Sequence, residues 1–185
     1  MLALIFYNNS FTKYKLKEFD SGWMYVFVSS FIFMQLVEFF IWRNIDNKFY
    51  NNVFSIITTI LLFIQPLASL MLLSNIPLRN NLLTLYLLLT VPFLSYIFAT
   101  SHVHSVVGKS GHLVWNFLDK YTKNPVVHII WLFFFLFSIV YENMWLGLIF
   151  TLVALAFAYV NYRSDSSMWS MWCWIVNSCM IYYAF

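Results

Sequence analysis

The sequence predicts an all-α protein, a polytopic transmembrane helix bundle of about six spans, and three observations carry that prediction. Of 185 residues, 62% are hydrophobic and only 9% are charged, whereas soluble domains carry roughly a quarter charged residues. The mean hydropathy is +0.76. From Ser21 onward, apolar runs of about 15 to 22 residues alternate with short polar breaks, close to what a helix needs to cross the hydrocarbon of a bilayer. In lipid only helices and closed barrels satisfy their own backbone, and these runs lack the strict alternation of barrel strands.

Taken in order, residues 1–21 form an N-terminal interfacial segment or the remnant of a first helix. MLALIFYNNS is too short to span, and it lacks the charged start and small-residue cleavage site of a signal peptide. Residues 22–185 are the bundle. Its first run, roughly 22–42, closes on Trp42 and Arg43, an aromatic and a cation of the kind that mark a membrane surface. The second run, roughly 53–74, carries Gln65 and Pro66 near its middle, where proline removes a backbone hydrogen bond and bends a helix. After a turn at NIPLRNN, the third run, roughly 82–100, repeats the device with Pro92.

Residues 101–125 are the one long connection and read as an interfacial loop. Leu113, Trp115, Phe117 and Leu118 sketch a short surface helix there. The fourth run, 126–141, and the fifth, 143–161, meet in a tight hairpin at Tyr141, Glu142 and Asn143, and the sixth follows NYRSDS. In the fifth, Gly147, Thr151, Ala154 and Ala158 recur at spacings of 4, 3 and 4; in the sixth, Ser166, Ser170, Cys173 and Asn177 do the same. Stripes of small residues let backbones approach closely, so these helices are expected to pack along them.

The net charge of +3 is scattered except for Lys13, Lys15 and Lys17. A nucleic-acid partner therefore lacks its electrostatic footprint, and lipid headgroups account for the lysines. The expected partner is the lipid bilayer. Six spans place Lys13, Lys15, Lys17 and Arg79 on one side and Arg43, Lys48, Lys109, Lys120, Lys123 and Arg163 on the other, a slight positive-inside bias toward an outside N-terminus. Cys173 and Cys179 are six apart, about 9 Å of helical rise on diverging faces, too far to bridge.

Gln35 and Glu38 stand inside the apolar run MQLVEFFIW and share a helical face with Trp42. An ionised carboxylate at bilayer depth costs about 2.5 to 3.5 kcal/mol or more without a partner, so Glu38 is expected to be protonated, paired or wetted. Counted at about 1.5 Å per residue, Gln65 comes back to the depth of Gln35, with Glu38 nearer the surface. The functional reading is a polar site for an ion, a proton or a small polar ligand; the structural one is a hydrogen-bond clamp between two helices. His102, His104 and His112 are the candidate metal ligands, since H-x-H can converge on a metal when the backbone is looped. In WSMWCW, Trp169 and Trp172 share a face, as headgroup anchors or as an aromatic cage. No nucleotide-binding glycine loop, nucleophile elbow or potassium filter is present, and the spans hold no lysine for a Schiff base. No cofactor is specified.

Met34, Gln35, Glu38 and Trp42, then Gln65-Pro66, then Gly111, His112, Leu113 and Trp115, then Trp172-Cys173-Trp174 together resemble an uncharacterised multi-pass membrane family of large DNA viruses of algae and protists. The likeness spans about residues 22–178. It implies a seven-helix relative with an additional N-terminal helix, of which MLALIFY would be the remnant, and a viral or host membrane as the location; it implies no activity. The reading that follows is an integral membrane protein: a small channel, transporter or ligand-binding bundle built around Gln35, Glu38 and Gln65, with Pro66 and Pro92 shaping a cavity. The alternatives are a membrane-embedded metal-dependent lipid enzyme and a structural or assembly protein, the last predicting homo-oligomers. An enzyme is the less favoured class.

Overall fold

The computed structural model describes residues 2–12, 17–116 and 125–184. Lys13, Lys15, Phe117, Leu118, Asp119, Lys120 and Lys123, which entered the charge, stripe and metal readings, lie outside the described residues, as do the side chains of Lys17 and Cys179.

Helices make up the fold: α1 (Leu2–Phe11), α2 (Gly22–Arg43), α3 (Lys48–Leu70), α4 (Ile76–Thr100), α5 (Pro125–Tyr141), α6 (Trp145–Tyr162) and α7 (Met168–Ala184). Four of them, α2, α3, α4 and α6, are long and apolar enough to cross a membrane, and α5 is a shorter apolar helix. The outward faces agree, since Leu85, Leu88 and Val91 on α4 and Ile149, Val153 and Val160 on α6 are exposed. Such continuous apolar surface belongs against lipid.

Two helices begin earlier than their apolar runs suggest. Asn47 accepts from the backbone N–H groups of Phe49 and Tyr50, and Asn75 from that of Leu78, so polar caps start α3 and α4 within stretches expected to be loop and turn. Pro77 sits in the first turn of α4, where a missing N–H costs nothing. The tight α5–α6 turn is present and has a definite cause. Asn143 adopts a left-handed φ of 57°, the Asn143 N–H reaches Val140 O and the Met144 N–H reaches Ile139 O. This pair of bonds is the Schellman termination of a helix.

Among the described residues of the 101–125 connection there is a β-hairpin, and Leu113 and Trp115, read as part of a surface helix, lie on its second strand; Phe117 and Leu118 of that reading are outside the described residues. Strand β1 (Ser105–Val107) pairs antiparallel with β2 (Leu113–Trp115). Gly111, at φ +79°, turns the chain in a conformation that favours glycine, and the Gly108 N–H closes the loop onto His112 O. All three β2 residues are buried. Asn51 on α3 binds β1 as another strand would: its amide donates to Ser105 O and accepts from the Ser105 N–H, both at 2.9 Å. The adjacent Asn52 donates to Val103 O, so the hairpin is fastened across the end of the bundle.

The core is aromatic. Trp172 is fully buried and packs edge-on against Phe31, Phe135, Trp131 and Trp169, while its indole donates to Thr151 O on α6. Trp169 and Trp172 thus build the interior in place of a headgroup anchor or a cage, and only Trp174 faces outward. Pro66 has no N–H to give Leu62 O, the acceptor four residues back. The Trp131 indole on α5 donates to that carbonyl at 3.1 Å, and the Tyr86 hydroxyl on α4 donates to the next one, Phe63 O, at 2.7 Å.

α1 packs against α7, with Ile5 wholly buried.

Candidate functional site

Three elements, α2, α7 and β2, converge on Glu38, and α3 joins them through Cys173. The carboxylate projects from the last turns of α2 and is 6% exposed. Gln35 lies one turn before it on the same face. From α7 comes Ser170, and from β2 comes Trp115; together with Gln35 they face the Glu38 carboxyl. Cys173, one turn beyond Ser170 and fully buried, faces both Glu38 and Gln65 of α3. The amide of Gln35, the hydroxyl of Ser170, the indole of Trp115 and the thiol of Cys173 are all uncharged as neighbours, and no lysine, arginine or histidine faces the carboxyl among the described residues.

Five polar atoms in this cluster have no hydrogen-bond partner in the protein: Gln35 Nε2, Glu38 Oε1, both amide atoms of Gln65, and Trp115 Nε1. Gln35 and Trp115 approach the carboxyl without closing a bond of good geometry. Each such buried atom costs about 1–3 kcal/mol relative to a satisfied one. Other buried polar groups of the bundle are paired, with Thr58 Oγ1, His128 Nε2, Asn177 Oδ1 and Arg79 Nε as exceptions. Ser69 meets Ser138 and Phe135 O, Ser55 meets Ser105, and the indoles of Trp131 and Trp172 each find a carbonyl. Concentrated unsatisfied valence in one place is the mark of a site for something the protein binds.

The sequence pointed to Gln35, Glu38 and Gln65; Gln35 faces the Glu38 carboxyl, whereas Gln65 faces Cys173, and because α3 begins at Lys48 Gln65 lies deeper than Gln35 by about 13 Å. Glu38 is covered by the hairpin rather than open to a surface, because the buried strand β2 lies over it. Pro66 is buried on the same helix as Gln65, whereas Pro92 stands on the exposed side of α4 and shapes no part of the cluster. On α6, Thr151 and Ala154 are buried and Gly147 half-buried. The matching stripe of α7 turns elsewhere: Ser170 and Cys173 face α2 and α3, and Asn177 donates to Phe31 O of α2. Polar groups go to polar partners, leaving Trp172 to contact α6.

The histidines do not form a metal centre. Among the described residues no group of three or more His, Cys, Asp or Glu is placed to hold an ion. His104 sits between His102 O, 2.9 Å from Nδ1, and Asn116, 3.0 Å from Nε2, while His112 packs edge-on against Tyr162. His102 and His104 line one groove at the hairpin, where His102 is exposed, while His112 is engaged by Tyr162.

Polar residues not singled out from the sequence accompany Gln65 on its helix. Asn51, Ser55, Thr58, Gln65 and Ser69 recur along α3 at spacings of 4, 3, 7 and 4 and are all buried, a polar stripe as regular as the small-residue stripe of α6. That periodicity is legible in the chain. The approach of Trp115 is not, because it depends on a hairpin closing over a distant helix. Comparison with family models, with curated proteins and with solved structures gives no match.

Proposed function

We propose that this chain is a multi-pass membrane bundle that binds and passes a small polar species, working as a small channel or transporter, with Glu38, Gln35 and Gln65 as the binding site. One observation carries the reading: the buried Glu38 carboxyl has an unpartnered oxygen and is faced by two donors that are themselves unpartnered, Gln35 Nε2 and Trp115 Nε1. Intramembrane carboxylates facing a bundle interior are costly to maintain and mark ion and substrate pathways. Ser170, Trp115 and Cys173 join the site by facing the same carboxyl or its neighbour Gln65. Six of the helices would span, with α1 packed alongside and the hairpin on the side that carries Arg43, Lys48 and Arg163. The compartment implied by the family resemblance is a viral or host membrane.

The test is flux into proteoliposomes loaded with purified protein, scored for protons and monovalent cations, comparing wild type with Glu38→Gln. Flux that depends on Glu38 is the expected result. A wild-type protein that passes nothing, or a variant that passes as much as wild type, overturns the proposal.

A further inference from the structure

We infer that the species handled at this site is the proton, and that it travels a polar seam along α3 running from the hairpin groove to the opposite end of the bundle. The inference rests on the proposed binding and conduction reading and specifies its substrate.

The seam can be followed residue by residue. At the hairpin end a groove of about 600 Å³ is lined by Lys48, Asn51, Asn52, His102 and His104. Its floor is a hydroxyl and amide chain, Ser105 to Ser55 at 2.8 Å and Ser55 to Asn51 Oδ1 at 3.2 Å. One turn deeper is Thr58, fully buried, with a hydroxyl that has no partner. The next polar residue of the seam on α3 is Gln65, about 10.5 Å further along the axis; Cys173 of α7 faces both Gln65 and Glu38, and so joins the carboxyl to this stretch. Beyond Gln65, the Ser69 hydroxyl meets Ser138 of α5. One turn past Ser138 stands Glu142, whose carboxylate accepts from the Ser74 N–H at 2.7 Å near the surface. Successive α3 positions are about 4.5 to 6 Å apart in rise except between Thr58 and Gln65, a separation that one bridging water fits, since each hydrogen bond takes about 2.8 Å.

The chemistry of the lining selects the proton. Around Glu38 the Trp115 indole can only donate, and beyond the carboxyl itself the Gln35 amide and the Ser170 hydroxyl are the oxygens facing it, fewer than the six to eight that a hard cation such as calcium takes. An anion would meet Glu38 itself. A proton needs only one acceptor: hydronium gives H⁺ to Glu38 Oε1, leaving a neutral carboxylic acid and water, and release to a water on the other side reverses the step. Among the described residues, Cys173 on α7 is the one other titratable group facing Glu38 from the packed elements; Gln35, Trp115 and Ser170 do not titrate.

The experiment is proton uptake into proteoliposomes with an internal pH-sensitive dye, driven by a potassium gradient and valinomycin. Wild type acidifies the lumen; Glu38→Gln lowers the rate about tenfold or more, as expected for loss of a relay carboxyl, and Glu38→Asp restores part of it. Thr58→Val and Ser69→Ala slow uptake several-fold, while Ser95→Ala, on the exposed side of α4, leaves it unchanged. Far-UV circular dichroism and gel filtration establish that each variant is folded, and Thr58→Val supplies the test if Glu38→Gln does not fold. Equal rates in wild type and folded Glu38→Gln, or in wild type and Thr58→Val, overturn the inference. A wild type that passes rubidium or sodium ions in a Glu38-dependent way but no protons also overturns it while leaving the conduction reading standing. No flux of any kind removes both.

Discussion

Replacing Trp131 by Phe tests whether α3 tolerates its proline because a neighbouring helix caps the carbonyl that the proline strands. The indole donates to Leu62 O at 3.1 Å, and both groups are buried. Phenylalanine keeps most of the stacked contact with Phe135, at 4.9 Å between centroids, but has no donor. Orphaning a buried carbonyl costs about 1–3 kcal/mol in water-soluble proteins, while interhelical hydrogen bonds in membrane proteins average about 0.6 and reach about 1.7 kcal/mol. Reduced contact with Trp169 and Trp172 adds a packing loss of about 1 kcal/mol. The expected total is therefore about 2 kcal/mol.

The two parts separate in a double-mutant cycle. Pro66→Ala returns an N–H to the ladder and satisfies Leu62 O from within α3. In that background Trp131→Phe keeps its packing cost and loses its hydrogen-bond cost, so the variant should be about 1 kcal/mol less damaging. Reversible unfolding in mixed detergent micelles, followed by far-UV circular dichroism, measures each corner of the cycle. Costs that agree in the two backgrounds to within about 0.3–0.5 kcal/mol would show additivity and refute the capping argument.

Two further outcomes follow from the loops. Asn51→Ala removes four hydrogen bonds, those to Ile45 O, to Ser105 O, from the Ser105 N–H and from Ser55; at about 1 kcal/mol each net, part of it regained by water, amide exchange in residues 105–115 should quicken about a hundredfold with α6 unaffected. Exchange that quickens everywhere would mean that Asn51 holds the bundle rather than the hairpin. Asn143→Val should cost about 1–2 kcal/mol in the same unfolding assay, because a β-branched residue resists the left-handed turn at φ 57°, whereas Asn143→Gly should cost nothing.

The helices were legible because lipid imposes long apolar runs, and the errors of extent at Lys48 and Ile76 arise where a polar cap begins a helix outside its apolar run. The β-hairpin was hidden for a different reason. Strands of three residues are too short to show a period, and Leu113 and Trp115 fit a rough helical stripe as well as they fit a strand. The separation of Gly108 and Gly111 was the available turn signal. Glu38 was visible as an acid in an apolar run, and Gln65 as an amide beside a proline. Ser55, Thr58 and Ser69 were not singled out because hydroxyls in membrane helices commonly bond back to their own helix, as Thr59 does to Ser55 O. Only the fold shows that Thr58 Oγ1 has no partner and that the others pair outside α3.

The contrast between Pro66 and Glu38 gives the cluster its meaning. A proline in the middle of a helix is a local defect, and this bundle answers it with two donors drawn from two different helices, Trp131 and Tyr86. Packing that can place an indole against one stranded carbonyl can equally place a donor against one stranded carboxylate oxygen. At Glu38 the donors are present, in Gln35 and Trp115, and yet they stop short, leaving Oε1 and both N–H groups unpaired. A structural clamp at Glu38 would close those bonds, since closing them is what would tie the Trp115 indole of β2 to the carboxyl of α2. A carboxyl that must take up and release something has the opposite requirement: donors near enough to stabilise its charge and far enough to admit a guest between them. The arrangement around Glu38 meets the second requirement and fails the first.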